Sequence, residues 1–252
     1  MAPFFSIVMA TFNAAQHMGR ALDSVLGQDC AEWEVLVQDG ASTDDTLAIA
    51  RARNDSRVRI ASQADHGVYH AWNRAIGRAA GEWVLFLGAD DFLVDTRVLG
   101  RCAGLLRACG EEIVFAYGLL AIGREGGVSA MVDRSRHEVF RTFVEDHDMG
   151  LPFPATFVRA AFLKAHAFDS TYRIAGDFDF AATHLCLENL ARLPVCVSYL
   201  EQGGLSSSAD NARQLVQERA QIMRTRVRPR REAFARALKA TLPFAAEEHG
   251  LA

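Results

Sequence analysis

Two adjacent carboxylates, Asp90 and Asp91, close the stretch EWVLFLGADDFL (residues 82–93), directly after an apolar run from Trp83 to Leu87. Side by side they repel, and each loses solvation wherever its neighbours are buried. A cation, or a partner that brings one, compensates both costs. Two other apolar runs end in polar turns: FFSIVMAT runs into Thr11-Phe12-Asn13, and WEVLV runs through Gln38 into Asp39-Gly40-Ala41-Ser42. One such turn carries little weight, because Asn, Asp, Gly and Ser populate turns in any protein. Three of them on one rim, one ending in paired acids, point to a binding site. Two more acids, Asp177 and Asp179 in AGDFDF, open a later helical segment, where carboxylates also suit the positive end of a helix dipole.

The elements that must position these residues alternate through the first half. Short apolar runs at 4–11, 33–40, 58–62 and 83–89 read as strands. Between them, Met18, Ala21, Leu22 and Val25 recur at i, i+3, i+4 and i+7, Ser42-Thr43-Asp44-Asp45 reads as a helix start, and residues 68–80 read as a third helix. Continuous apolar strands separated by helices predict a parallel sheet covered on both faces, so residues 1 to about 118 read as a doubly wound α/β half. In such sheets ligands bind beyond the carboxyl ends of the strands, where the three polar turns converge. The second half is less regular. Residues 113–122 read as a strand with GREGG as its hairpin turn, 151–168 as a Pro-fixed loop entering an amphipathic helix, 175–190 as a further helix, and 195–211 as a strand running into a glycine-serine loop. No low-complexity linker divides the chain.

Composition narrows the function. The 252 residues are half hydrophobic and carry a net charge of −4, which gives no general attraction to nucleic acid. The five cysteines form no CxxC pair and lie among apolar residues, so buried, reduced thiols and a cytoplasmic protein are expected. The first residues lack a basic region and cleavage site, and no apolar run approaches a membrane span. Residues 213–239 differ: nine Arg or Lys against two Glu leave +7, with Phe234, Leu238 and Leu242 at helical spacing. This is either a solvated helix face or a basic amphipathic segment making peripheral contact with anionic lipid at the inner face of a membrane, although Pro229 interrupts a single long helix.

In order along residues 4–207, SIVMATFNAAQHMGRALDSVLGQ, WEVLVQDGASTDDT, DHGVYHAWNRAIGRAAGEWVLFLGADD, GDFDF and GGLS resemble the successive motifs of glycosyltransferase family 2, inverting enzymes with a GT-A type fold, and most of all the bacterial members that assemble polysaccharides. The resemblance implies a Rossmann-like, doubly wound, mostly parallel sheet with a smaller acceptor-side part. One domain would span 1–212, its nucleotide-sugar half ending near 118 and its acceptor half covering 119–212, with 213–252 a basic helical extension. It implies transfer of a hexose from a nucleotide sugar, a UDP-sugar, to a glycan or lipid-linked acceptor. Diphosphate departure needs charge neutralisation, and Mn2+ or Mg2+ held by carboxylate and phosphate oxygens provides it. Asp91 is then expected as the metal ligand and Asp90 at the ribose or a metal-bound water. Asp39 is expected to accept from the uracil N–H and Phe12 to stack on the base, with Thr11, Asn13 and Ser42 shaping the pocket. Asn73 and Arg74 would face ribose and diphosphate. Asp177 matches the family's general base, and Asp179 is the alternative.

Two departures stand out. His70 replaces an acid in a run that reads His70-Ala71-Trp72-Asn73 here, and Pro152-Phe153-Pro154-Ala155 stands where relatives tend to carry Pro-His-Gln. They leave open a catalytically silent nucleotide-sugar-binding subunit. A sugar nucleotidyltransferase fits less well, because ATFNAAQ is not a glycine-rich, cationic phosphate loop.

Overall fold

The computed structural model describes residues 2–146, 148–203 and 211–248, with 242–248 described as backbone. The first half follows the predicted alternation: β1 (Phe5–Thr11), α1 (Ala15–Leu26), β2 (Trp33–Asp39), α2 (Thr46–Ala52), β3 (Val58–Ser62), α3 (Val68–Ile76), β4 (Trp83–Phe86), β5 (Phe92–Leu93) and α4 (Val98–Leu106). The second half adds β6 (Phe115–Arg124), β7 (Gly127–Val132), α5 (Arg136–Arg141), β8 (Thr156–Arg159), α6 (Ala160–Ala165), α7 (Gly176–His184), β9 (Leu190–Glu201), α8 (Ala212–Ile222) and α9 (Arg231–Glu248). β6 and β7 form the hairpin turned by GREGG. The glycine-serine loop at 204–210 lies outside the described residues.

All strands join one sheet in the order β3-β2-β1-β4-β8-β6-β9-β5, with β7 paired to β6. β3, β2, β1 and β4 are mutually parallel, while β8 runs antiparallel to both β4 and β6. β8 is a departure from the sequence reading, which carried the Pro-fixed loop directly into a helix. Thr156–Arg159 is a four-residue strand wedged between two neighbours, and α6 begins only at Ala160. Phe157 pairs with both Leu85 and Ala116 across it.

Alternation along β1 sends Phe5, Ile7 and Met9 into one core and Val8 into the other. The first core packs under α1 and α4 through Met18, Leu22, Val25, Leu99 and Cys102. The second lies under α3, α6 and α7 and includes an aromatic group in which Trp72, Phe86, Phe153 and Phe168 lie with ring centroids 4.3–6.0 Å apart. Phe153, one of the departures from the family pattern, is therefore a core side chain.

The basic C-terminal segment belongs to the same core. Phe234 is 1% exposed and stacks on Phe143 at 5.3 Å, and Ala237 and Val227 are buried beside it. Burying one phenylalanine this way stabilises by about 1.5–3 kcal/mol. Of the apolar residues at helical spacing, Phe234 is buried in this core and Leu238 packs against it. Pro229 sits in a short 3-10 turn, Arg228–Arg230, between the two helical stretches. Among the described residues no helix is long and apolar enough to cross a membrane. The five cysteines are unpaired, but only Cys102 is buried and the other four are half-buried.

Candidate active site

Register brings the first two turns together. Thr11 pairs with Asp39 in the parallel ladder, and its hydroxyl donates to Asp39 Oδ1 at 3.1 Å. The Ser42 N–H donates to Oδ2 at 2.9 Å, the Ser62 hydroxyl to Oδ2 at 2.7 Å, and the Ser42 hydroxyl to Oδ1. Asp39 is fully buried, which pushes its carboxyl up, but these donors outweigh burial and hold it below the ordinary carboxylate range. A carboxylate offers about four lone-pair positions, and all are taken. A base N–H would reach Asp39 by displacing one of the three hydroxyls, those of Thr11, Ser42 and Ser62.

What Asp39 fixes is the rim itself. Ser42 Oγ accepts from the Asn13 N–H at 2.8 Å, and Asn13 Oδ1 accepts from the Thr43 N–H at 2.9 Å. Thr46 Oγ1 and Asp44 Oδ2 accept from the N–H groups of Ala14 and Ala15, which open α1. The first turn of α1, lacking a cap of its own, is thus capped by the neighbouring loop. Asn13 and Ala41 hold positive φ of 48° and 66° at this seam. For Ala41 that costs about 1–2 kcal/mol, and such strain is characteristic of binding loops.

The turn projects Phe12, 67% exposed, over a cavity of about 830 Å³, a volume typical of small-molecule sites. Four chain segments form most of its wall, Ala10–Ala14 at the end of β1, Asp65–Val68 after β3, Gly88–Asp90 after β4 and Ser170–Arg173 before α7, joined by His17, Ala71 and Gln214. Thr11, Phe12, Asn13 and Asp90 of the expected residues line it; Asp39, Ser42, Asn73, Arg74, Asp91 and Asp177 are absent from that lining. Asn73 clamps the chain instead, donating to the Phe168 carbonyl at 2.9 Å and accepting from its N–H at 3.0 Å. Arg74 donates to the carbonyls of Gln63 and Ala64, at 3.4 and 3.0 Å, and so ties down the turn after β3. Both Asn73 side-chain groups meet backbone, whereas Arg74 uses only Nη1 and stays half-exposed.

The two acids at 90–91 divide differently from the expectation. Asp90 lines the cavity. Asp91 is 4% exposed and sits behind it, with Oδ1 accepting from the Glu201 N–H at 3.0 Å. Burial first, then the Asp90 charge, pushes the Asp91 carboxyl up to about 7. Both carboxylates crowd over Gly88, where a Cβ would meet Asp90 Oδ1 and Asp91 Oδ2 at 2.7 Å each. Arg20 ties the turn to the sheet edge by donating to the Asp90 carbonyl and pairing with Glu201 at 2.7 Å. Of the two carboxylates, only Asp90 faces the cavity. Among the described residues no three His, Cys, Asp or Glu side chains converge as a closed metal site. One accessible carboxylate of hard oxygens fits an ion that arrives with substrate phosphates, the usual way Mg2+ is held.

Asp177 opens α7, in the segment that follows the wall residues Ser170–Arg173. Its Oδ1 accepts from the Phe178 N–H at 2.9 Å and lies 3.1 Å from the Tyr69 hydroxyl. Burial raises its carboxyl above the ordinary range in spite of these contacts. The phenol has one proton and two acceptors near it, and the Ile174 carbonyl is closer, at 2.5 Å. A bond from the phenol to Asp177 favours the ionised carboxylate and so opposes the upward push of burial. Asp179, the alternative, is 5% exposed and paired with Arg226 at 2.8 Å, so it is spent on structure. His70 stacks on the cavity residue His66, centroids 5.4 Å apart.

Sequence reasoning missed Asp65 and His66, although the turn after the third strand obeys the same rule that singled out the other three. It also missed Tyr69, whose ring is brought to Asp177 because Gly176 has no Cβ: one placed there would meet ring atoms at 2.8 Å. No local signal marks that pair.

A mostly parallel α/β sheet whose strand ends gather acids around one cavity is the plan of the GT-A glycosyltransferases. Crystal structures of S. aureus TarS residues 1–349 in complex with UDP-GlcNAc (TM-score 0.66, 21% identity, covering 93% of this chain and 70% of that one) and of the mannosyltransferase PcManGT from Pyrobaculum calidifontis in complex with GDP-Man and Mn2+ (TM-score 0.66, 20% identity, 100% and 77%) share this fold. The family model for glycosyl transferase family 2 matches residues 6–149, and a PGL/p-HBAD biosynthesis glycosyltransferase of Mycobacterium tuberculosis is 34% identical over 219 residues, covering 82% of this chain and 80% of the relative. The chain belongs to glycosyltransferase family 2, and it is a glycosyltransferase.

Proposed function

We propose that the enzyme transfers a sugar with inversion from a nucleoside-diphosphate sugar, a UDP-sugar, to a glycan or lipid-linked acceptor in cell-surface polysaccharide or glycolipid assembly. The observation that carries the reading is Asp177, a carboxyl raised by burial beside the wall of a cavity whose other side presents Phe12 and Asp90. A base must hold its proton weakly enough to act and strongly enough to accept, so an upward shift from the ordinary carboxylate range suits it.

Phe12 stacks on the base, and the seam tied by Asp39, Ser42 and Asn13 holds Phe12 and Thr11 in place. Asp90 faces the diphosphate. A divalent cation bound there supplies neutralisation of the charge that develops on the leaving group. Asp177 removes the proton from the acceptor hydroxyl; the new oxygen–anomeric carbon bond forms as the bond to the diphosphate breaks, and the electron pair leaves with the nucleoside diphosphate. The PGL/p-HBAD biosynthesis role of the mycobacterial relative supports a biosynthetic transfer and the UDP-GlcNAc complex of TarS a UDP-sugar donor, while the GDP-Man complex of PcManGT shows that the fold also accommodates a GDP-sugar.

The exposed cations of the C-terminal segment, including Arg213, Arg224, Arg228, Arg231, Arg236 and Lys239, hold the enzyme against anionic lipid at the cytoplasmic face by electrostatics alone, about 1 kcal/mol for each cation near the surface.

The test is nucleotide binding followed by turnover. UDP, GDP and dTDP are compared by thermal shift with and without Mn2+, and nucleotide release is then followed from a panel of the matching sugar donors. UDP with Mn2+ is expected to give the largest shift, and Asp177→Asn to abolish turnover while leaving that shift. A larger shift with GDP reassigns the donor, and a fully active Asp177→Asn removes the base assignment.

A further inference from the structure

The C-terminal segment grips α7 along its whole length. Glu218 of α8 accepts from three consecutive backbone N–H groups, those of Arg173 at 2.9 Å, Ile174 at 2.9 Å and Ala175 at 2.8 Å. Gln214, one turn earlier, donates to the same carboxylate at 2.9 Å. Glu218 is only 8% exposed, and the three residues it holds lead directly into α7 and Asp177. Farther along the helix Arg226 pairs with Asp179, and at its end Arg230 donates to the carbonyls of Ala182 and Leu185. A carboxylate at the first turn and a guanidinium at the last match the helix dipole at both ends.

The bonds form a continuous path to the base. Glu218 fixes the Ile174 N–H; the Ile174 carbonyl takes the Tyr69 proton; and the Tyr69 oxygen lies against Asp177 Oδ1. The same turn carries Tyr172 and Arg173 of the cavity wall. Nothing else among the described residues' bonds accepts from these three N–H groups, so without Glu218 they are left to water, and the turn is free to move with respect to Tyr69.

We propose that Glu218 is a positioning residue for catalysis: by holding the 173–175 turn from α8 it fixes Asp177 against Tyr69, and the basic C-terminal segment is therefore part of the catalytic apparatus. This rests on the assignment of Asp177 as the base. A misplacement on the order of 1 Å costs roughly 10²-fold in rate, so a loss of that size in kcat is expected with the nucleotide site intact.

The experiment compares Glu218→Ala, Glu218→Gln, Asp177→Asn and the exposed neighbour control Gln217→Ala in the full chain. Each is assayed well below its own Tm, so that the folded fraction does not decide the result. Turnover is read as UDP release from the UDP-sugar that the wild type uses fastest, and binding as the Kd for UDP with Mn2+. Glu218→Ala is expected to lower kcat roughly 10²-fold with the Kd for UDP changed less than about threefold. Glu218→Gln keeps one acceptor oxygen for the turn and is expected to fall between Glu218→Ala and wild type, which also answers the question if the alanine variant does not fold. Wild-type kcat in both Glu218 variants overturns the proposal and leaves Glu218 a stabilising contact. A loss of UDP affinity as large as the loss of kcat also overturns it, since the turn then serves the donor wall. If Asp177→Asn is inactive while the Glu218 variants are normal, only the positioning role fails. A fully active Asp177→Asn removes the base assignment and this proposal with it.

Discussion

The division of labour between Asp90 and Asp91 can be tested by separating ligand response from stability. A nucleotide–metal pair present at 100 times its Kd stabilises the fold by about 2.7 kcal/mol. For a chain of this size each kcal/mol moves Tm by about 2–4 °C, so the wild type should shift by about 5–10 °C with UDP and Mn2+. Asp90→Ala removes the one carboxylate of the pair that lines the cavity. If affinity falls about a hundredfold, the same ligand concentration then only equals Kd and contributes RT ln 2, about 0.4 kcal/mol, so the shift collapses to about 1 °C. Asp91→Asn keeps an acceptor for the Glu201 N–H, which now bonds to Oδ1 at 3.0 Å, and takes a buried like charge away from Asp90. Its ligand shift should stay within about 2 °C of wild type. The assay is differential scanning fluorimetry on the three proteins, with UDP alone, Mn2+ alone and both. Loss of the shift in Asp91→Asn together with its survival in Asp90→Ala would refute this reasoning and return the metal to Asp91.

Three further outcomes follow from other parts of the structure. His184 is held down to about 4 from 6.5, by burial first and then by His166, Arg230 and Arg226. Its neutral form is the one the fold favours, so stability is complete above pH 6.5 and is lost as pH falls toward 4, by at most about 3 kcal/mol; urea midpoints should drop between pH 7 and 4.5, and His184→Leu should flatten that drop. Gly176→Ala drives a methyl against the buried Tyr69 ring at 2.8 Å, and overpacking of this kind costs about 1–3 kcal/mol. An unchanged urea midpoint would mean that the ring yields. Phe12→Ala should leave stability nearly untouched, because the side chain is 67% exposed. The Kd for UDP should rise about tenfold, within the 1–3 kcal/mol a stacked base contributes, and an unchanged Kd would take the base away from Phe12.

What could be read in the sequence and what could not divide along a physical line. Thr11, Asp39 and Asp90 lie at the ends of apolar strands, where the parallel sheet has to present them, and a continuous apolar run followed by a polar turn is a local signal. The order of Asp90 and Asp91 was not legible, because after Gly88-Ala89 nothing local says which of two neighbours faces the cavity and which meets Glu201, 110 residues on. Asn73 and Arg74 sit on the expected helix, but their partners are carbonyls and an N–H presented by other segments, which no helical spacing reveals. β8 was missed for a related reason: four residues with prolines two and four positions upstream carry too little pattern, and the strand exists because β4 and β6 leave a gap with unpaired edges that Phe157 and Val158 fill. Asp177 was singled out by motif, yet its surroundings are not in the motif. Its burial depends on Tyr69, 108 residues away, and on a turn held by a carboxylate more than 40 residues downstream. The basic run of 213–239 looked like a surface for something outside the protein because its charges were read as a sum. Taken singly, Arg226 and Arg230 face α7, and Glu218, an acid within the basic run, holds the turn that leads into Asp177.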